Sequence, residues 1–185
     1  MKGNERYVHD EPVGPDRDQH RRAETLSKQS PFAVIVGCAD SRVSPEIIFD
    51  QGVGDLFVVR VAGNVIGPLE MDSVEYSILY LGSSVIVVLG HQNCGAVDAV
   101  IHDHTKDIES VAELIIPAVT EARKTAPENL LEASVKLNAI RMRDALLNSP
   151  PLSKLIAAGK LEIHAGYYHL ESGVVEICGE ERNAE

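Results

Sequence analysis

The chain has 185 residues, of which 44% are hydrophobic and 24% are charged, a composition typical of a single globular domain. Its formal net charge of −11, from 17 basic and 28 acidic residues, argues against nucleic acid and anionic membranes as partners. The sequence contains no run of 18 apolar residues and no signal-peptide pattern, which predicts a soluble, cytoplasmic protein. Its three cysteines are an odd number, so a disulfide framework is not expected.

The N-terminal segment differs in character from the rest of the chain. Residues 1–30 are polar and carry two prolines and a glycine between positions 12 and 15, which predicts a loop-rich arm with one helical segment near 20–28. No core pattern is visible in this arm. The predicted organisation is therefore an arm over 1–30 followed by a single α/β domain over 31–185.

Strand and helix patterns alternate along the first hundred residues. The apolar, β-branched run 31–37 predicts a buried strand. Ser44 and Pro45 then predict a short helix, with serine as N-cap and proline at the first helical position, ending at Gly52 or Gly54. The following predictions are a strand over 56–61, a turn-rich loop over 62–68, a helix over 71–81 ended by Gly82, a strand over 85–89 and a short helix over 96–101.

The second half of the chain is mainly helical. Helical patterns cover 107–126, 129–148 and 152–158, and Pro150-Pro151 is expected to break the chain between the last two. Strand patterns over 161–168 and 174–178 surround Glu171-Ser172-Gly173, a hairpin signal. The predicted fold class is α/β, with a central, mostly parallel β-sheet of about four parallel strands plus a C-terminal edge strand, flanked by helices.

Two of the predicted strands end at a glycine that is followed at once by residues able to bind a metal ion. The strand before Gly37 leads into Cys38, and the strand before Gly90 leads into His91 and Cys94. In open α/β sheets, sites form beyond the carboxyl ends of strands, where the strand order switches. Both groups of ligands occupy such positions.

Two thiolates and one imidazole suit zinc, which accepts sulfur and nitrogen ligands in tetrahedral geometry. The sequence therefore predicts one Zn²⁺ per chain, held by Cys38, His91 and Cys94. No fourth cysteine or histidine lies near these motifs, which leaves a position for water or for Asp40. Cys178 is interpreted as a plain buried thiol.

Other interpretations of these residues can be weighed from the sequence. A nucleophilic cysteine of the phosphatase type needs an arginine shortly after it, and the loop after Cys94 contains none. The remaining histidines are interpreted as surface or structural residues, with proton shuttling by His102 and His104 as an alternative.

The paired motifs resemble those of the β-class carbonic anhydrases. The resemblance is carried by the segment 38–43, Cys-Ala-Asp-Ser-Arg-Val, followed by His91-x-x-Cys94-Gly95. It continues through 54–60 and through Glu75-Tyr76, and it covers roughly residues 29–101 strongly.

The resemblance implies roles for individual residues. It implies that Asp40 and Arg42 form the catalytic carboxylate–guanidinium pair of the family, and that Glu46 and Arg60 form a structural ion pair. The resemblance also implies that Gln29 is the glutamine on the substrate side and that the backbone N–H of Gly95 lies near the substrate. It implies that the apolar walls of the carbon dioxide pocket, which lie partly across a dimer interface, are Phe57, Ala62 and Tyr76.

The sequence departs from the family pattern in three places. Val61 stands where an asparagine is common, and Ile35 stands where the bicarbonate-regulated branch has tryptophan. The N-terminal helices that embrace a partner subunit are expected to be truncated, which would weaken a dimer. The missing tryptophan favours an open site near pH 8, in which Asp40 lies on Arg42 rather than on the metal.

The expected activity is the reversible, zinc-dependent hydration of carbon dioxide to bicarbonate and a proton, by a homodimer or a dimer of dimers. Two alternatives remain open from the sequence. The same scaffold can hydrolyse carbonyl sulfide or carbon disulfide, which are also linear and apolar. A non-catalytic, zinc-stabilised oligomer module would need a permanently closed site.

Overall fold

The structure, a computed structural model, describes residues 1–125 and 127–179. The strands are β1 Ala33–Gly37, β2 Leu56–Arg60, β3 Val85–His91, β4 Glu162–Tyr168 and β5 Val175–Cys178. The helices are α1 Lys2–Val8, α2 Gln19–Glu24, α3 Pro45–Ile48, α4 Pro68–Tyr76, α5 Gly95–Ile101, α6 Glu109–Lys124, α7 Leu130–Leu147 and α8 Pro150–Ala157. A 3₁₀ turn, Ala62–Asn64, and a π-helical turn, Ser77–Leu81, complete the secondary structure of these residues.

The strands form a single sheet in the order β2-β1-β3-β4-β5. The first four strands are parallel, and β5 runs antiparallel to β4 at the edge. The predicted fold class, four parallel strands with a C-terminal edge strand, is thereby confirmed. None of the helices in the described ranges combines the length and apolar character that a membrane span requires.

Alternate residues of the central strands point to opposite faces of the sheet, and both faces are covered. Val34 and Val36 of β1 pack, with residues of α4 to α7, in the larger core. Ile35, between them, belongs to a smaller core with Ile48 and Phe49 on the other face. Burial on both faces explains why β1 is an uninterrupted apolar run.

The strand order reverses at β1. The chain leaves β1 to form β2 on one side, and it returns to form β3 on the other side. In the register of β1 and β3, Gly37 lies beside Leu89. Cys38, which follows β1, and His91, the last residue of β3, therefore lie at the same end of the sheet.

Some helix boundaries differ from the prediction. Helix α4 begins at Pro68, three residues before the predicted start, because proline is well suited to the first helical turn. Its predicted continuation to Leu81 is a π-helical turn, which ends as expected at Gly82 with a φ of +83°. Pro150-Pro151 forms the first turn of α8 instead of breaking the chain. The predicted helix end at residue 126 lies outside the described residues.

The N-terminal arm contains a helix, α1, that sequence patterns did not reveal. Asn4 is buried, and its side-chain nitrogen donates to the carbonyls of Gly173, at 2.7 Å, and Ile48, at 3.2 Å. Its side-chain oxygen accepts from the amide of Val175 at 2.9 Å. A helix that docks through a buried amide leaves no apolar periodicity in the sequence, which explains why the helix was missed.

Asp50 anchors the arm. Its fully buried carboxylate accepts hydrogen bonds from the amides of Val13, at 3.0 Å, and Gly14, at 2.8 Å. Arg6 donates to the same group at 2.7 Å. Burial by itself raises the pKa of Asp50, but the N–H of Val13, the Arg6 side chain and the N–H of Gly14 outweigh it and hold the pKa below its usual value. The ionised carboxylate therefore stabilises the folded chain.

We expect Asp50→Asn to lower the free energy of unfolding at pH 7 by about 2 kcal/mol, because hydrogen bonds to a buried charge are lost. The folded-state pKa of Asp50 is depressed, so its contribution is complete above the unfolded pKa of about 3.9 and is lost as the pH falls through the folded value. Denaturant titrations of both proteins should therefore converge in acid.

The matched control is Glu11→Gln, the same chemical change at an exposed carboxylate of the arm. It should leave stability unchanged at every pH. A loss in Asp50→Asn that stays constant from pH 7 to strong acid would contradict the anchoring role.

Candidate metal centre

The loop after β1 presents both a thiol and a carboxylate at the edge of the sheet. Arg60, the last residue of β2, holds this loop, because its guanidinium donates to the carbonyls of Cys38, at 3.0 Å, and Asp40, at 2.6 Å. The neighbouring strand β3 ends with His91, and Cys94 directly precedes α5. Residues 56 positions apart in the chain are thus brought together by strand pairing.

Cys38, His91 and Cys94 form a buried cluster. Their ligand atoms all lie within 4.8 Å of one another, and the two sulfur atoms are 4.0 Å apart. This is the only group of three or more potential metal-binding residues found in the described ranges. The structure therefore brings together the three residues that the sequence identified as ligands.

The imidazole of His91 is oriented for metal binding. Its Nδ1 lies 2.9 Å from the carbonyl oxygen of Gln92, and because a carbonyl can only accept, Nδ1 carries the proton. Its Nε2 then bears a lone pair, and this buried atom has no hydrogen-bond partner among the described residues. Buried polar atoms are rarely left unpaired, so an unpartnered acceptor beside two thiols fits a metal ligand.

The two thiols influence each other's ionisation. The pKa of Cys38 is lowered to about 4, mainly by its hydrogen bond with the Cys94 thiol. His91 and the amides of Asp40 and Gly63 lower it further. The pairing with Cys38, together with burial, raises the pKa of Cys94. The pair thus favours one thiolate with one shared proton, and a cation placed between the sulfurs would replace that proton.

Asp40 and Arg42 form a bidentate pair at the mouth of the cluster. Arg42 donates from Nε to Oδ1 of Asp40 at 2.9 Å and from Nη2 to Oδ2 at 2.7 Å, and its amide donates to Oδ1 at 3.0 Å. The Arg42 guanidinium holds the pKa of Asp40 well below its usual range. Oδ2 of Asp40 also lies 3.9 Å from Nε2 of His91. The ionised, oriented carboxylate of Asp40 therefore lies next to the position that a molecule bound at the cluster would occupy.

The predicted pocket residues are all partly or fully exposed. The rings of Phe57 and Tyr76 have centroids 6.4 Å apart. Ala62 begins the 3₁₀ turn and Gly95 begins α5, and both are exposed. Gln29 is exposed in the segment that precedes β1. Their contact with substrate stays a prediction.

The expected ion pair of Glu46 with Arg60 is not formed among the described residues. The guanidinium of Arg60 instead donates to the carbonyls of Cys38 and Asp40. These main-chain acceptors follow β1, beside the last residue of β2 in the parallel register, so Arg60 meets them before it reaches α3. Arg60 therefore supports the loop that carries Cys38 and Asp40.

Sequence reasoning missed the main-chain groups of the site. The amide of Gly63 donates to Sγ of Cys38 at 3.2 Å, and the carbonyl of Gln92 orients His91. Main-chain groups are the same in every residue, so side-chain type carries no signal for these contacts. The only hint was the turn-rich composition of 62–68.

Comparisons with known proteins identify the family. The sequence model of the family described as carbonic anhydrase matches residues 33–175. Carbonic anhydrase 2 of Mycobacterium tuberculosis is 40% identical over 178 residues, covering 93% of this chain and 86% of that protein. The carbonic anhydrase of Mycolicibacterium smegmatis is 36% identical, covering 95% of this chain and 88% of its own length.

Solved structures give the same result. The β-carbonic anhydrase CcaA superposes with a TM-score of 0.76 at 29% identity, covering 86% of this chain and 85% of that one. The Coccomyxa β-carbonic anhydrase, solved in complex with acetazolamide, has a TM-score of 0.73 at 29% identity, covering 95% of this chain and 83% of the other. Sequence and fold therefore agree that this chain belongs to the carbonic anhydrase family, with the fold of its β class.

Proposed function

We propose that this carbonic anhydrase is a zinc enzyme that hydrates carbon dioxide reversibly through the site formed by Cys38, His91 and Cys94. The observation that carries the proposal is the buried cluster of these three residues, in which Nε2 of His91 has no hydrogen-bond partner within the described part of the chain. Two sulfurs and one nitrogen are a donor set that zinc accepts, and a three-ligand set leaves one position for chemistry.

Cys38, His91 and Cys94 would hold the zinc, and its chemistry there would be to lower the pKa of a water molecule toward neutrality. Oδ2 of Asp40, 3.9 Å from Nε2 of His91, can accept a hydrogen bond from an oxygen in front of that nitrogen and so orient its lone pair. Arg42 keeps Asp40 ionised and holds it in place through two parallel hydrogen bonds. The pair therefore positions the nucleophile without taking part in a covalent step.

The same pairing favours an open site near pH 8. The Asp40 carboxylate has two oxygens, and both already accept hydrogen bonds from Arg42. Two thiolates neutralise a divalent ion, so a further anionic ligand gains less than it would at a histidine-only site. Asp40 is a fourth ligand only in a closed state, which requires it to leave Arg42.

Substrate is proposed to bind against the apolar wall of Phe57, Ala62 and Tyr76. Carbon dioxide is linear and carries no charge, so an apolar wall suits it. The Gly95 amide at the start of α5 and the Gln29 side chain are the proposed polar contacts on the bicarbonate side. Hydrolysis of carbonyl sulfide or carbon disulfide, and a purely structural zinc module, are not favoured by the relatives, which are carbonic anhydrases.

A homodimer, or a dimer of dimers, is proposed as the active form. Next to the substrate wall the chain exposes large apolar side chains of α4 and the π-helical turn, namely Leu69, Tyr76, Leu79 and Tyr80. Tyr80 is 76% exposed, and its ring lies 5.6 Å from that of Tyr76. We call these four residues the aromatic patch, and a partner subunit covering it would close the substrate pocket. The proposed location of the enzyme is the cytoplasm.

The first test is a stopped-flow assay of carbon dioxide hydration on the zinc-loaded protein. We expect rapid hydration, and no comparable turnover of carbonyl sulfide or carbon disulfide. Hydration no faster than in buffer, with zinc present at one ion per chain, would contradict the proposed activity.

Replacing a thiolate should remove the metal. We expect Cys38→Ser and Cys94→Ser to hold far less than one zinc per chain by elemental analysis, and to unfold at a lower temperature because metal binding is linked to folding. Cys178→Ser is the matched control, since Cys178 is a buried thiol outside the cluster. Full zinc occupancy in either ligand variant would refute the assignment.

Removing Arg42 should separate catalysis from metal binding. We expect Arg42→Ala to retain its zinc while kcat falls at least tenfold, about 1.4 kcal/mol in the barrier, because Asp40 loses its orientation. Arg141→Ala, which removes an exposed arginine of α7, is the control. Wild-type turnover in Arg42→Ala would show that the pair is not catalytic.

The aromatic patch provides the test of association. We expect light scattering to give at least a dimer mass at assay concentration. Tyr80→Glu should shift the protein toward monomer and lower activity, because a charge there opposes burial. Ile116→Glu on α6 makes the same change at another exposed apolar position and should do neither. A fully active monomer would rule out the obligate dimer.

A further inference from the structure

We infer that Asn138 of α7 is a positioning residue for the metal ligand Cys38, acting through the main chain of Gly63. The inference rests on the proposed zinc site. It assigns a function to a polar side chain in the middle of a packed helix, far in sequence from every motif of the site.

The connection consists of two buried hydrogen bonds. The side-chain nitrogen of Asn138, which is fully buried, donates to the carbonyl of Gly63 at 2.8 Å. The amide of the same glycine donates to Sγ of Cys38 at 3.2 Å. A side chain of α7 is thereby linked to a ligand that follows β1, across 100 positions of the chain.

The 3₁₀ turn cannot be held at Gly63 by its own side chains. Gly63 has a φ of +70°, and a Cβ there would lie 2.7 Å from Cδ1 of Ile115. Both polar atoms of the next side chain, Asn64, have no hydrogen-bond partner in the described ranges. Besides Cys38 itself, the side chain that hydrogen-bonds to Gly63 in the described ranges is Asn138, and this bond orients the turn.

The orientation of the turn matters for the chemistry of the thiolate. An N–H that donates to a thiolate draws electron density from the sulfur and fixes the direction in which its remaining lone pairs point. Without Asn138, the buried carbonyl of Gly63 is left unpaired, and the turn is free to rotate its amide away from Cys38. The sulfur would then be more electron-rich and less well placed.

The test compares Asn138→Leu and Asn138→Ala with wild type and Ser134→Ala. Leucine has the same branching and the same number of non-hydrogen side-chain atoms as asparagine but no donor, and alanine guards against overpacking in the leucine variant. Ser134 is a fully buried polar residue one turn earlier in α7 whose hydroxyl has no partner among the described residues, so it controls for loss of a buried polar atom.

Two readouts other than activity report on the ligand. One is the affinity for Zn²⁺ in competition with a chelator, which should fall by about 10- to 100-fold, as is usual when support of a ligand is lost. The other is the thiolate-to-metal charge-transfer band of the Co²⁺-substituted protein. This band should move to lower energy in both Asn138 variants, because a sulfur with a weaker hydrogen bond is more easily oxidised.

The outcomes separate this inference from the proposed function. A red-shifted band and weaker zinc binding in the Asn138 variants, with neither effect in Ser134→Ala, would support the positioning role. Unchanged band and affinity in a folded Asn138 variant would overturn it while leaving the zinc site intact. An equal band shift in Ser134→Ala would also overturn it. Absence of zinc from the wild-type protein would instead refute the proposed function.

Discussion

The parallel pairing of β1 with β3 is the constraint on which the site depends. These two strands end side by side. Cys38 directly follows β1, and His91 is the last residue of β3. The chain forms β2 on one side of β1 and then β3 on the other side, so the strand order reverses at this pair. Such a reversal leaves a crevice at the carboxyl ends of the strands. The approach of Cys38 to His91 is thus a consequence of strand register, and Cys94 joins them from the position just before α5.

Around this pair, main-chain groups contact two of the three ligands. His91 is held by the carbonyl of Gln92, and Cys38 by the amide of Gly63. The charged residues lie at the mouth of the site, where Asp40 and Arg42 pair with each other. The oriented carboxylate of Asp40 thereby lies beside the buried cluster rather than within it.

The N-terminal arm is held to the rest of the chain by buried hydrogen bonds. Helix α1 and the following turn are attached through Asn4 and Asp50, which are buried polar groups whose hydrogen bonds are satisfied. Such contacts stabilise one particular arrangement because any shift would leave a buried charge or amide unpaired. The aromatic patch, by contrast, is exposed, and it is the surface on which the proposed dimer depends.

The sequence by itself determined the fold class, with its parallel strands and C-terminal edge strand, and the three residues that form the cluster. Apolar runs of five to seven residues have strong, local consequences, and cysteine and histidine side chains are chemically distinctive. Tertiary structure alone decided the helix α1 and the hydrogen-bonded link from Asn138 through Gly63 to Cys38. It also decided that Arg60 supports the ligand loop instead of pairing with Glu46. Each of these depends on main-chain carbonyls and amides, which every residue carries and which become specific only when folding brings them next to one particular side chain.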